Sequence, residues 1–285
     1  PENIVLDKKL NYLLYFFFLY LIFEFISLSF PLHTIDIYHE GQRLSSAFKF
    51  QKNSTLWSEN FVTVGIIYET ILSKLAWDLF GSISLGSLRA FDIIIIYLFK
   101  LILCFFSLII ANNSKLFGAI KYIYFACLTL LFLSLIDYSF PTADLINARD
   151  IVVFITLICI IYLSSNRGNS YLLITILGFL SIFSLFWSLD RGLVCNLLII
   201  ISLIYFLAIK DLKKTISILL SLLIFWIITF LLFNDEFIYF IKNSLIVISE
   251  MSYIHGVIFP KPFSDDPDSS RAAKNLLVLI FTVLI

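Results

Sequence analysis

Charged residues are scarce in this sequence: they make up 14% of 285 residues, and 20 basic and 20 acidic side chains cancel to zero formal net charge. Binding to a nucleic-acid backbone requires clustered lysine and arginine, so nucleic acid is excluded as a partner. Glycine and proline number only nine and six, whereas transporters favour helices broken by these residues. Each of the four cysteines lies in an apolar run, without the spacing of a disulfide or a metal site.

Hydrophobic residues are abundant instead. They form 60% of the chain, whereas soluble domains contain roughly 45–50% apolar residues. Seven apolar runs are long enough to cross a bilayer with modest tilt or thinning: 10–32, 90–111, 119–136, 148–163, 171–189, 193–209 and 216–233. The sequence therefore predicts an all-α, polytopic transmembrane bundle, a single domain over 1–285 that is a fragment truncated at both ends.

The segment 66–80 has the length of a short span, but it carries charges at regular intervals. Its polar residues recur at helical spacing on one face: Glu69, Ser73, Lys74 and Asp78. Apolar residues fill the opposite face. This pattern predicts an interfacial helix that lies on the bilayer with its charges toward water.

The distribution of lysine predicts the orientation of the chain. With 66–80 lying flat, the basic turn 210–214 falls on the same side of the membrane as most other lysines. The positive-inside rule places that side in the cytoplasm, so the long first loop, 33–89, is external. The segment 237–259 can either span or lie at the surface, because its charged residues make insertion costly.

Titratable residues cluster where the first span meets this external loop. Asp36 is followed three and four residues later by His39 and Glu40, on the same face of a helix. A carboxylate in this position can act as a general base or bind a divalent ion such as Mg or Mn. Asp36 also has a structural interpretation, as the N-cap of a helix over 37–50.

Two charged residues lie within predicted spans, Glu24 in the first and Lys100 in the second. Counting about 1.5 Å per residue from the external ends gives both a depth of roughly 12–15 Å, so they can form an ion pair. Alternatively, Lys100 extends toward water and Glu24 is protonated.

Several short motifs follow one another between 10 and 149. They are Asp36-Ile-Tyr-His39-Glu40-Gly41, Phe80-Gly81 followed by Ser87-Leu-Arg89, and Lys115-Leu-Phe-Gly118. Their order resembles the GT-C superfamily of polytopic glycosyltransferases, which includes protein O-mannosyltransferases and aminoarabinose transferases. Phe61 to Tyr68 is similar to the family's His-Pro-Pro-Leu entry to an interfacial helix, although Thr63-Val64-Gly65 replaces His-Pro-Pro. The His-Glu-Gly sequence resembles uncharacterised bacterial members.

The resemblance implies an enzyme that transfers a hexosyl or pentosyl group from a polyprenyl-phosphate donor to a lipid, glycan or protein acceptor. The reaction would take place on the external face of the bacterial inner membrane, with Asp36 near the acceptor. Candidates to hold the donor phosphate are Arg149, Arg191 and Arg271. The alternative for the first two is an ion pair with neighbouring Asp150 and Asp190.

Two questions stay open on the sequence alone. A divalent ion could be bound by Asp36 or by Asp266 and Asp268, although the Asp-Pro-Asp sequence of the latter pair also fits a solvated turn. The alternative function is a transporter or flippase of a lipid-linked or small polar substrate, because transporters also place charges within spans.

Overall fold

A computed structural model describes residues 8–28, 35, 39–53, 55–114, 116–136, 147–165 and 170–255. Its helices are α1 (Lys8–Ser27), α2 (His39–Asn53), α3 (Leu72–Phe80), α4 (Leu85–Asn113), α5 (Gly118–Ser134), α6 (Ile151–Ser164), α7 (Ser170–Trp187), α8 (Leu189–Ala208), α9 (Leu212–Phe233) and α10 (Asp235–His255). A π-helical turn over Ile66–Ile71 leads into α3, and a 3-10 turn over Ala148–Asp150 leads into α6. The predicted all-α fold is confirmed, since these residues include no β-strand.

The chain divides into two compact units, Pro1–Phe237 and Ile238–Ile285. In the first unit, helix α4 is the centre of the packing and is the most deeply buried of its long helices. One side of α4 packs against α1 and α5 around Phe17 and Phe125. Another side packs against α3 and α6 around Phe99 and Val152. Helix α7 then joins α6 to α8 and α9.

Five helices are long and apolar enough to cross a membrane: α1, α4, α7, α8 and α9. Helices α5 and α6 coincide with two further predicted spans, but they have only 17 and 14 residues. Helix α4 begins at Leu85, so the loop predicted over 33–89 ends before Arg89. Helix α10 covers most of the segment 237–259, which the sequence left open, and it is not one of the five.

The orientation of the segment 66–80 differs from the prediction. Glu69 and Ser73 were expected to face water, yet they are 2% and 0% exposed. Only Lys74 and Asp78 remain at the surface, joined by an ion pair of 2.5 Å. Amphipathic periodicity separates polar from apolar faces, but it does not distinguish polar residues that bind water from those that bind protein. The predicted apolar face is only partly exposed: Leu75 is at 46%, whereas Leu72 and Ala76 are buried in the core.

The two ends of the helices in the first unit carry different residues. At one end, here named the lysine end, Lys121 Nζ lies 3.5 Å from Asn112 O, and Lys214 Nζ lies 3.2 Å from Leu163 O. Lysine is favourable there because α4 and α6 end with unpaired carbonyl groups. The opposite end, here named the charged end, carries α2, the loop 55–65 and the first turns of α4, α6 and α8. This alternation matches the up-and-down order of the predicted spans.

Small residues let helix α7 approach α8 and α9 closely. A Cβ added at Gly178 on α7 would lie 2.8 Å from the backbone carbon of Ser221 on α9. The Ser221 hydroxyl donates to Ile174 O at 3.0 Å across the same contact. A Cβ at Gly192 on α8 would lie 2.5 Å from the Cα of Leu185. Close packing and interhelical hydrogen bonds stabilise such contacts in lipid, where the hydrophobic effect does not.

We expect Gly178→Ala to lower the melting temperature of the detergent-solubilised protein, because overpacking against backbone atoms costs typically ~1–3 kcal/mol. Gly86→Ala in the first turn of α4 is the matched control, since the nearest atom to its added Cβ lies at 3.7 Å. Alanine there should be neutral or stabilising, by up to roughly 1 kcal/mol. Identical melting of Gly178→Ala and wild type would contradict the close approach of α7 and α9.

Candidate functional site

Helix α2 is joined to the first turns of α4 by two ion pairs. Arg89 Nε and Nη2 donate to the two Glu40 carboxylate oxygens at 2.7 and 3.0 Å. Arg43 donates through both terminal nitrogens to the Asp92 oxygens at 2.7 and 2.9 Å. Glu40 and Arg43 are one turn apart on α2, as Arg89 and Asp92 are on α4. The order of charge on α2, acidic then basic, is opposite to that on α4, basic then acidic. Both bidentate pairs can therefore form at the same time in one alignment of the two helices.

The face of α2 that is turned toward the protein is mostly polar. Its buried residues are Glu40, Arg43, Ser46 and Ala47. The Ser46 hydroxyl contacts the hydroxyl of Thr70 in the π-helical turn. The Arg43 guanidinium lies 4.7 Å from the ring centroid of Tyr68, a cation–π contact. Charged and polar contacts therefore determine where α2 lies.

A second network of charges lies where α6 and α8 begin. Arg191 Nε donates to Asp150 Oδ1 at 2.5 Å, and Arg191 Nη1 donates to Asp190 Oδ2 at 2.8 Å. Arg149 Nη1 is 3.6 Å from the same Asp190 oxygen. Arg149 and Arg191, the phosphate-binding candidates, are thus paired with the neighbouring carboxylates. Their side chains remain 20% and 26% exposed, so both keep partial access from outside.

Tyr68 lies between these two networks. It is 4% exposed, and its ring centroid is 6.2 Å from that of Trp187. The indole of Trp187 in turn donates to Arg149 O at 3.2 Å. Burial raises the pKa of Tyr68 above its ordinary value, although nearby Arg43 opposes the rise. The neutral phenol therefore contacts Arg43 of the first network directly and reaches the second network through Trp187.

The buried carboxylate of Glu69 organises the loop 55–65. It accepts the backbone N–H groups of Thr63 and Val64 at 2.9 Å each and the Thr63 hydroxyl at 2.7 Å. Val64 O then accepts Leu189 N at 2.5 Å, which fixes the loop to the start of α8. Gly65 is needed in this contact because a Cβ there would lie 2.7 Å from the Cα of Ser188.

A second carboxylate, Glu236, holds the same loop near its beginning. Glu236 accepts the backbone N–H groups of Trp57 and Ser58 at 2.7 and 3.2 Å, and it also accepts the Ser58 hydroxyl. Burial opposes ionisation of Glu236, but these hydrogen bonds lower its pKa below the ordinary value. The Trp57 ring packs against Phe186 and Phe233, with centroids 5.1 and 6.1 Å away.

Sequence reasoning missed both of these carboxylates. Glu69 had a local signal, because it follows its three backbone and hydroxyl donors by only five or six residues. Glu236 had no such local signal, because 178 and 179 residues separate it from the backbone groups that it binds.

The ion pair expected within the membrane is present in the structure. Lys100 Nζ lies 2.9 Å from Glu24 Oε1, and their side chains are 4% and 23% exposed. Lys100 Nζ also lies 5.2 Å from the ring centroid of Tyr97. Lys100 therefore points into the bundle rather than toward water.

Of the remaining predicted site residues, the structure describes only His39 and Glu40. His39 is exposed at the start of α2, and both oxygens of neighbouring Glu40 are bound to Arg89. The positions outside the described residues are Asp36, Asp266, Asp268 and Arg271. Among the residues that are described, no three His, Cys, Asp or Glu side chains are grouped to hold a metal ion.

We expect Glu24 and Lys100 to be energetically coupled. Glu24→Gln and Lys100→Met should each lower the melting temperature in detergent, because each leaves the other charge buried without its partner. The double variant should lose clearly less than the sum of the two single losses.

The exposed pair of Lys74 and Asp78 provides the matched control. The same cycle with Lys74→Met and Asp78→Asn should give a coupling below about 1 kcal/mol, as is typical of surface pairs. Strictly additive losses for Glu24→Gln and Lys100→Met would show that their contact contributes no coupling.

No family model, curated protein or solved structure matches the chain. Any functional assignment therefore rests on the sequence and the geometry of the site.

Proposed function

We propose that this chain is a membrane glycosyltransferase that moves a sugar from a polyprenyl-phosphate donor to an acceptor at the charged end. One observation carries the proposal: four arginines and four carboxylates, from α2, α4, α8 and the 3-10 turn before α6, form ion pairs at a single end of an apolar bundle. Replacing buried ion pairs by apolar residues is often neutral or stabilising, so stability alone does not explain why these pairs are concentrated at one end.

A lipid-linked donor has chemical requirements that this end of the bundle meets. Its isoprenoid must stay in the bilayer, while its phosphate and sugar lie at the interface with water. The exposed apolar residues Ile71, Leu75 and Leu79 provide a lipid-facing surface beside the charged networks. Arginine offers the planar, bidentate donors that phosphate binds.

Asp36 is the residue that we assign to the chemistry. In the sequence it precedes His39, the first residue of α2, by three positions, and Glu40 by four. As the acceptor oxygen bonds to the anomeric carbon, its proton passes to the Asp36 carboxylate. The bond from that carbon to the phosphate oxygen breaks, and polyprenyl phosphate leaves with the electron pair. General-base assistance of this kind contributes typically ~10²–10⁴-fold. The same carboxylate could instead bind a divalent ion that neutralises the leaving phosphate.

The alternative is a transporter or flippase, and the Glu24–Lys100 pair within the membrane is the observation that favours it. Against it, none of the five long apolar helices is interrupted within its described range. A transporter would be expected to carry its substrate site at such an interruption near the middle of the membrane.

We further propose that the charged end faces the outside of a bacterial inner membrane, because the opposite end carries the lysines. In a cysteine-free background, Lys49→Cys on α2 should react in intact cells with a membrane-impermeant maleimide. Lys213→Cys at the lysine end should react only after the cells are permeabilised. The two positions are both exposed, so access to the reagent is comparable. Labelling of Lys213→Cys alone in intact cells would reverse the orientation.

We expect Asp36→Asn to abolish sugar transfer while leaving the protein folded. Asparagine caps a helix about as well as aspartate does, but it is neither a base nor a strong metal ligand. Transfer of labelled sugar from a polyprenyl-phosphate donor measures activity, and the melting temperature measures folding. Lys49→Gln on the exposed face of α2 is the control and should retain activity. Near-wild-type transfer by Asp36→Asn would leave this residue only the role of a cap.

A further inference from the structure

The two ion pairs of α2 differ in how easily each can open. Arg43 is enclosed, because its guanidinium lies over Tyr68 and its partner Asp92 is within the 29-residue helix α4. Arg89 has a partner, Glu40, that is the second residue of α2. Helix ends open at little cost compared with helix interiors. Glu40 can therefore leave Arg89 when only the first turn of α2 unwinds, while the Arg43–Asp92 pair stays closed.

The Glu40 carboxylate occupies Arg89 in the way that a phosphate would. It binds side-on to Nε and Nη2 with two nearly parallel hydrogen bonds, and phosphate oxygens use the same fork. Arg89 lies four residues into α4, about 6 Å from the start of this helix. A position near the start of a long apolar helix is suitable for the head group of a lipid whose chain stays in the bilayer.

We propose that Arg89 is a binding site for a lipid-linked phosphate group and that Glu40 is an internal anion that occupies this site until the phosphate replaces it. The identity of the lipid as a polyprenyl phosphate rests on the proposed function. Loss of Glu40 without replacement leaves the buried guanidinium without its carboxylate, which is unfavourable. Opening of the first turn is therefore coupled to binding of a new anion, and ligand affinity is reduced by the stability of the internal pair.

Opposite effects of two substitutions test the proposal. Binding of radiolabelled polyprenyl phosphate to the purified protein should become about tenfold tighter in Glu40→Gln, because the competing anion is gone. It should become at least about tenfold weaker in Arg89→Gln. Arg89→Lys should be intermediate, since lysine keeps the charge but loses the bidentate fork. If Glu40→Gln fails to fold, Glu40→Asp keeps the charge on a shorter side chain and should also tighten binding.

The second pair of α2 is the matched control. Asp92→Asn removes the carboxylate from an arginine pair with the same spacing and similar distances, yet it should not tighten binding. If Glu40→Gln binds the lipid as wild type does, or more weakly, the Glu40–Arg89 pair is only structural and the proposal is wrong. Equal tightening by Asp92→Asn would also overturn it, because the effect would then be one of general charge.

The choice of ligand separates the two possible sources of phosphate. Polyprenol, which lacks the phosphate, should bind equally weakly to wild type and Glu40→Gln; a response equal to that of polyprenyl phosphate would overturn the proposal. Competition by millimolar inorganic phosphate would support the Arg89 site and assign it to phosphate without the lipid. If the opposite effects on binding are found but no sugar is transferred, the proposed function fails while the Arg89 site stands.

Discussion

Removal of charge from water is the constraint on which the charged end depends. A buried guanidinium or carboxylate costs several kcal/mol unless a partner of opposite sign and further hydrogen bonds compensate. Each of the four arginines near the π-helical turn has such a partner. Helix α2 contributes Ala47 as its only buried apolar residue, so the pairs of Arg43 and Arg89 are its main attachment to the bundle.

The same constraint explains the backbone of the loop 55–65. Its N–H groups cannot all be hydrated where the loop meets α8 and α9, so the carboxylates of Glu69 and Glu236 accept them. The carboxylates of two acidic residues therefore accept backbone N–H groups that regular secondary structure would otherwise pair. The chain gains a well-defined irregular segment beside the charges that the proposed reaction uses.

Under the proposed function, these paired charges would serve both stability and phosphate binding. A guanidinium that is already desolvated and oriented by a carboxylate needs little reorganisation when a phosphate takes the carboxylate's place. The Glu40–Arg89 pair lies at a helix end, where exchange is easy, whereas the Arg43–Asp92 pair is enclosed and keeps α2 attached. Two bidentate pairs with the same spacing and similar distances can therefore have different roles, and their positions within α2 and α4 help to distinguish them.

The sequence alone determined the class of fold, the approximate limits of the five long apolar helices and the Glu24–Lys100 contact, because a bilayer demands apolar runs of fixed length and makes an intramembrane charge seek a partner at equal depth. It did not determine which charges meet at the charged end. Glu40 and Arg89 are 49 residues apart, and Glu236 is 179 residues from Trp57. It also predicted that Glu69 faces water, whereas this residue is buried, since periodicity reports the separation of polar and apolar faces but not what the polar face binds. Only the tertiary packing of α2, α4 and α8 decides those partners, because ion pairing depends on distances in space and not along the chain.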